Sequence, residues 1–410
     1  MPQSHIQAAI RVKLEATYGV EENLVAADAI LITRLEETPL DGDTITRDLV
    51  RPFLGGQPST FTSKRMTVGF DVELQGRGVA GQAPAWGKLL RACKMQETSF
   101  VAARTLAPVA VGTPTGRFTA VAGTAYAGSV PRSVRLTCTT AGGTGVAAFT
   151  VASAAMFGAA AANATGVVMT TGSPFSLGVG SATITPTITA AFAVGDTFDI
   201  ALLPPSIEYQ PIGGAGDSCT IWVNRGDLRY RGVGCRGSVS IDLTAQQNPK
   251  LKFQFTGLFN SITADSLPTV DFTSFVAPAH VSTANTPHLS LLGFRPRTRA
   301  LMVDLKNDVQ PRLLVGNETI EIVDRMPDGS ANFELPTIAE FDLFARAAAS
   351  AAGELRVIHG DLPGRIIEVA APRVEIGKPT TREEQKIVMA EVPLSFVPIA
   401  GNDELVIRAY

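Results

Sequence analysis

The chain is poor in residues that carry out chemistry. Its four histidines, His5, His280, His288 and His359, show no HExxH or comparable spacing, so solvent-facing or locally bonded imidazoles are expected in place of a metal site. Its four cysteines, Cys93, Cys138, Cys219 and Cys235, form no CxxC pair. They read as small buried apolar residues of a reducing compartment, with disulfides the lesser alternative. Charged residues make up 18% and the net charge is −3, without the clustered Lys and Arg that binding a phosphate backbone requires. Long hydrophobic runs are missing too. The most apolar window, 144–168, is rich in Ala, Gly and Thr and lacks the Leu and Ile of a membrane span. The N-terminus has no continuous apolar stretch of the secretory kind. The expectation is a soluble protein made in a cytoplasm, whose 45% hydrophobic content suffices for a folded core.

What the chain does contain is a repeat. Residues 55–74 run parallel to 316–335 at an offset of 261, with Gly55 on Gly316, Lys64 on Arg325 and Leu74 on Leu335. A second stretch aligns at an offset of 134, placing Val223 on Val357, Gly226-Asp227-Leu228 on Gly360-Asp361-Leu362, and Arg231 on Arg365. The difference between the offsets, 127 residues, is surplus in the first copy, most of it the Ala/Gly/Thr-rich block 104–206. A chain of 410 residues holds two or three domains. The boundaries expected are 1–103 with 207–262 for a discontinuous first copy, 104–206 for an inserted domain, 263–297 for a linker and 298–410 for the second copy.

Periodicity supplies the elements. Residues 4–19 are expected as an amphipathic helix, capped by Ser4, striped by Ile6, Ile10 and Leu14, and stopped by Gly19. A strand at 29–33 leads into a long polar arm, whose size points to function. Val68, Phe70, Val72 and Leu74 alternate with Gly69, Asp71 and Glu73, the mark of an antiparallel strand with one wet face. A helix over 83–94 packs Trp86, Leu89, Leu90 and Cys93. Residues 105–206 carry only five charges and break into short β-favouring runs, so an all-β sandwich is expected, with the 154–164 alanine tract as a helical turn or surface loop. Strands follow at 220–223, 228–235, 238–243 and 250–256. In the second copy, strands are expected at 300–305, 319–323, 330–335, 355–359, 365–369, 373–377 and 387–396. The Thr337–Glu340 capping box opens a helix to Ser350 with Phe341 and Phe344 inward. The class is mainly β, an α+β arrangement of two sandwich or barrel units with one flanking helix each.

Several motifs fail on inspection. Gly76-Arg-Gly78-Val-Ala-Gly81 matches GxGxxG, but the strand before it alternates and no second parallel strand follows, so a mobile loop is the better reading. Gly81 to Lys88 imitates a Walker A loop with one residue too many and Leu89 where magnesium needs Ser or Thr. Asp227 and Asp361 fit β-turns, and the Arg225-Gly226-Asp227 tripeptide lies in that same turn. Asn163-Ala-Thr165 and Asn317-Glu-Thr319 are formal glycosylation sites without meaning in a cytoplasm. No catalytic triad stands out, and neither an enzyme nor a cofactor is expected.

Five ordered segments carry a resemblance: TPLDGDTITRDLVRPFLG (38–55), APAWGKLLRAC (83–93), PKLKFQFTG (249–257), LPTVDF (267–272) and PIAGNDEL (398–405). Together they resemble the tail tube (major tail) proteins of long-tailed bacteriophages, over nearly all the chain outside 104–206. The inserted block, with RSVRLTC (132–138) and FAVGDTF (192–198), resembles Ig-like surface domains of phage tails, either as plain decoration or as a weak cell-surface adhesin.

The resemblance implies units that close into rings, rings that stack into a hollow tube, and a tube that conducts double-stranded DNA into the host without binding it specifically. With two units per chain, three chains complete a pseudo-sixfold ring; a hexamer of whole chains is the alternative. Tape measure, tail terminator and distal tail proteins are the implied partners, and the virion tail, after assembly in the host cytoplasm, is the implied location. The arm, with Asp43, Arg47, Asp48, Arg51, Phe53 and Arg65, is the candidate for ring-to-ring stacking, aided by a docking terminus with Asn402, Asp403 and Tyr410. The channel is expected to be more acidic than basic, leaving open which of Asp71, Glu73, Asp242 and Glu375 line it. Two other classes stay open: the tube of a contractile tail or injection system, and a secreted β-sandwich adhesin, for which an export signal is missing.

Overall fold

A computed structural model describes residues 7–410. The protein is mainly β, in antiparallel sheets. Its first strand, β1 (Ala8–Leu14), corrects the helix expected over 4–19, of which Ser4 and Ile6 lie outside the described residues. Ile10 and Leu14 suit a helical stripe, but Ile10, Val12 and Leu14 also alternate with Arg11 and Lys13. The period of two wins because the ladder sets Ile10 opposite Val223 and buries both. After the short β2 (Ala29–Ile30), β3 (Arg34–Thr46) and β4 (Ser59–Glu73) form one long hairpin, so the polar arm is a laddered ribbon ending in the turn 47–58. Val68, Phe70, Val72 and Leu74 are buried, as alternation predicts. Helix α1 (Gly87–Ala92) is shorter than expected, yet Trp86, Leu89, Leu90 and Cys93 are all inside. The Trp86 indole donates to the Gln75 carbonyl at 2.7 Å, which satisfies its one polar atom. Strand β5 (Met95–Phe100) follows.

Nine further strands within 104–203, among them β7 (Val109–Val111), β9 (Arg132–Thr140), β12 (Phe175–Ser176) and β13 (Thr183–Ala190), then form a six-stranded and a three-stranded sheet of their own. The first, β6 (Arg104–Thr105), pairs with the last, β14 (Thr197–Leu203), so the block leaves and re-enters at one place. Phe118 of β8 (Arg117–Ala122) meets Phe198 of β14 edge-on at 5.0 Å, joining the two sheets face to face over a core with Phe149, Phe175 and Phe192. The alanine tract is neither helix nor plain loop. It ends β10 (Ala148–Ala155) and begins its antiparallel neighbour β11 (Ala161–Val168).

The chain returns through β15 (Ser206–Pro211) beside β5, then β16 (Cys219–Arg225), β17 (Leu228–Thr244) and β18 (Lys250–Ala264). The expected linker contains a strand, β19 (His288–Leu291). Next come β20 (Thr298–Asp304), β21 (Asn307–Leu314), β22 (Asn317–Arg325) and β23 (Asp328–Glu334). Helix α2 (Leu343–Ala348) is capped by Asp342, whose carboxylate accepts the Ala345 amide at 2.9 Å. The Thr337–Glu340 box does form but holds a single turn, and Phe344 is 51% exposed, not inward. Strands β24 (Ala352–His359), β25 (Ile367–Ile376), β26 (Thr380–Glu384), β27 (Ile387–Phe396) and β28 (Val406–Ala409) complete the chain.

Two runs of paired neighbours follow the same order. One is β1-β16-β17-β18-β4-β3. The other is β19-β24-β25-β27-β23-β20. Gly226 and Gly360, with φ of 58° and 95°, both turn the chain after the second strand of their run. The turn is two residues (226–227) in the first run and seven (360–366) in the second, so the offset of 134 becomes 139 beyond it. Arg231 and Arg365 are therefore not equivalent: the first lies in β17, the second in the turn. The runs join where β17 pairs with β20, and β28 separately links β25 of the second run to the β15–β5 pair. Their apolar faces share one continuous core.

Candidate assembly surfaces

Eight of these strands lie edge to edge in the order β3-β4-β18-β17-β20-β23-β27-β26, four from each run or its extension. Phe70, Phe253, Ile241, Val303, Phe333 and Val392 point from one face into the core. The residues between them form a polar face, and there each cation stands beside a carboxylate. Lys250 is 3.7 Å from Asp71, Lys252 is 2.7 Å from Asp242, and Arg382 is 3.7 Å from Glu384. Arg34 pairs with Glu36. At the strand ends Lys306 meets Asp328, Arg297 meets Glu334 at 3.1 Å, Arg299 meets Glu384 at 3.2 Å, and Arg373 meets Glu375 at 2.9 Å. Glu73, Asp304 and Glu391 add further acid on this face. Asp71, Glu73 and Asp242 belong to it, and Glu375 of β25 stands beside Ser395 of β27 on the same side. Burial, with Asp328 nearby, raises the Asp304 carboxyl above its ordinary value. Burial acts the same way on Asp242, but the bonds from Lys252 and Thr244 outweigh it and leave that group lowered.

The two outer strands are edges. Among the described residues β3 ladders only with β4, and β26 only with β27. Beyond its first few residues β3 rises with β4 into the arm. Arg65 bonds Asp41 at 2.7 Å and approaches Asp43 at 4.0 Å, which braces the base of the hairpin. The Arg47 amide donates to the Pro58 carbonyl at 3.0 Å, and Arg51 donates to the Gly56 carbonyl at 3.3 Å while lying 5.8 Å from the Phe53 ring. Asp48 belongs to the same exposed turn. The tip displays apolar side chains, with Phe53 at 65% exposure and Val50 and Leu54 fully exposed. The corresponding hairpin of the second run, β21 with β22, ends in the two residues Val315 and Gly316, a much shorter tip on which Val315 is also fully exposed.

The C-terminal residues part company. Asn402 accepts a bond from Arg325 at 3.2 Å, and Asp403 accepts the amides of Ile399 and Ala400; both lie at the surface. Tyr410 is buried, its hydroxyl donating to Glu368, so its side chain is an internal tie and not a surface contact. Glu368 is fully buried between Arg408 at 3.1 Å and Arg356 at 3.3 Å. Burial would raise its carboxyl, but the two guanidiniums win and hold it below the ordinary value. Arg408 continues to Glu208 at 2.6 Å, and Glu208 to Arg104 at the root of the inserted sheets. Phe157 of the insertion lies under the Arg356 guanidinium at 4.1 Å and against the His288 ring at 5.9 Å. This network ties the insertion, the second run and the C-terminus together. It escaped sequence reading because its members come from four separate stretches of chain, around residues 104, 208, 356–368 and 408, and none forms a local motif.

The remaining motifs have local explanations. In the Gly76–Gly81 loop the Gly78 amide already bonds the Gly364 carbonyl at 2.8 Å. His359 accepts from the Thr286 hydroxyl and donates to the Ala279 carbonyl, each at 3.0 Å. All four cysteines are buried free thiols. Among the described residues no group of His, Cys, Asp and Glu could hold a metal ion, and no helix is long and apolar enough to cross a membrane. Strand β26, and with it Arg382 and Glu384, was missed because TTREE shows no apolar alternation; its only sequence signal is placement just before the strand at 387–396. No family model matches the chain, and no curated protein matches it.

Proposed function

We propose that this protein is the tail tube protein of a long-tailed bacteriophage, built from two tandem tube units with a flanking helix each and an inserted surface domain. The reading is carried by one observation: the eight-stranded sheet is apolar toward the core, charge-paired on its other face and open at both edges. A sheet with open edges is completed by another strand, and a contact between unlike edges repeats head to tail until it closes a ring. Three chains supply twenty-four strands, and at about 4.8 Å per strand and a tilt near 40° their wall is roughly 50 Å across between backbones. Subtracting ~5 Å of side chain on each wall leaves a channel that admits duplex DNA. A hexamer of whole chains would be about twice as wide, which favours the trimer. The polar face then lines the channel. With every cation on it beside a carboxylate, it offers DNA phosphates no counterion to replace, so the duplex slides without specific binding.

Stacking of rings falls to the arm, whose exposed apolar tip is otherwise a liability in a lone subunit. Tape measure, terminator and distal tail proteins are the partners of such a tube, and its place is the virion tail. No bond chemistry is involved. Negative-stain microscopy of the purified protein tests the reading. Rings or tubes with a central hole are expected; particles that remain monomeric or solid at every concentration would overturn it.

A further inference from the structure

Pairing of β17 with β20 inside one chain is a template for the junction between chains. Asp71 of β4 and Asn332 of β23 occupy matching places, and they stand opposite Arg34 and Ala300. Strand β3 thus matches β20, with Arg34 in the place of Ala300, Glu36 of Met302 and Thr38 of Asp304. On the other side, Lys250 faces Glu73 and Asp242, while Met389 faces Glu334 and Arg382. Strand β26 thus matches the distal part of β17, with Thr380 in the place of Ser240, Arg382 of Asp242 and Glu384 of Thr244. Within the chain Ser240 faces Asp304, Asp242 faces Met302 and Thr244 faces Ala300. The same register at the two open edges sets Thr380 opposite Thr38, Arg382 opposite Glu36 and Glu384 opposite Arg34.

We infer that β26 of one copy ladders antiparallel with β3 of the next in this register, selected by two interchain ion pairs, Arg382 with Glu36 and Glu384 with Arg34. The inference rests on the tube reading and adds to it the contact and its specificity. In the single chain these four side chains, three exposed and Glu384 half-buried, pair only along their own strands or, for Glu384, also with Arg299. A one-residue slip would turn the charges to the wrong face. A two-residue slip in one direction sets Arg382 opposite Arg34, and in the other sets Glu384 opposite Glu36. Like charges directly opposite are destabilising, so both slips are disfavoured and one register remains.

The full chain tests this with two single variants, Thr38→Cys and Thr380→Cys, mixed and oxidised. Directly opposed residues of an antiparallel pair lie within disulfide reach, and the native thiols are buried. A covalent dimer is expected in the mixture and in neither variant alone, and the double variant should give a ladder ending at the ring. Absence of the dimer in a sample whose micrographs show rings overturns the register and leaves the tube reading standing. Absence of both overturns both. A charge reversal gives a second readout: Glu36→Arg or Arg382→Glu alone weakens self-association by roughly fivefold, and the two together restore it. Failure of the double reversal to restore association would likewise sink the ion pairs.

Discussion

The amide of Gly78 donates to the carbonyl of Gly364 at 2.8 Å, and a Cβ on Gly76 would stand 2.1 Å from that same oxygen. A loop with a dinucleotide-like glycine pattern is therefore closed by backbone from the other half of the chain. The Gly78 amide is then not available to a pyrophosphate, and the backbone at Gly364 stands where the phosphate would approach. Millimolar NAD or NADH should leave the unfolding temperature and the cofactor fluorescence unchanged, whereas Gly76→Ala should cost about 2 kcal/mol through the clash, read by urea denaturation.

Glu368 is the most exposed to change among the buried groups, because two guanidiniums depend on it. Glu368→Ala should destabilise by about 3 kcal/mol, since it removes the buried carboxylate that Arg356 and Arg408 share and leaves each with one acid, Glu354 and Glu208. Tyr410→Phe removes one bond to a charged partner and should cost about 2 kcal/mol. Denaturant midpoints of the two variants give the comparison directly.

His288 makes the protein acid-sensitive. Burial first, then Arg295 and Arg356, hold its pKa down to about 4 from 6.5. A depressed pKa means that the unfolded chain takes up the proton first, so this contribution to stability is whole above pH 6.5, falls with pH, and is fully lost by about pH 4. The loss amounts to about 3 kcal/mol. His288→Gln should flatten the stability profile over that window, and thermal melts from pH 7 to pH 4 would register the difference.

The arm tip should separate folding from assembly. Phe53→Ser with Leu54→Ser touches residues that contact little in the single chain, so stability should move by less than about 0.5 kcal/mol. Micrographs should then show isolated rings where the parent gives tubes. Tubes of normal length from this variant would remove the arm from the stacking contact.

Much of the sheet was legible because alternation is a local signal: Val68 to Leu74 and Leu251 to Phe255 announce their buried face one residue at a time. Residues 8–14 misled because Ile10 and Leu14 satisfy both a helical and an extended period, and only the ladder to β16 decides. Phe344 misled in the opposite way, since the helix begins only at Leu343, which turns Leu343 and not Phe344 inward, while Phe341 is buried ahead of it. The polar face was visible as a set of residues but not as a surface. Which carboxylates share it depends on registers among strands that are distant in sequence. The edges were invisible for the same reason: an edge is defined by what does not pair, and sequence does not report that.

The chain enters and leaves the inserted sheets by a single doorway, where Arg104 and Thr105 lie beside Leu203 and Leu202, and Phe157 props them against the second run. An excursion that begins and ends at one point adds mass outside without changing the spacing of anything it grew from. A different load, larger or smaller, could be carried at that position while the ladders of the main sheet keep their register.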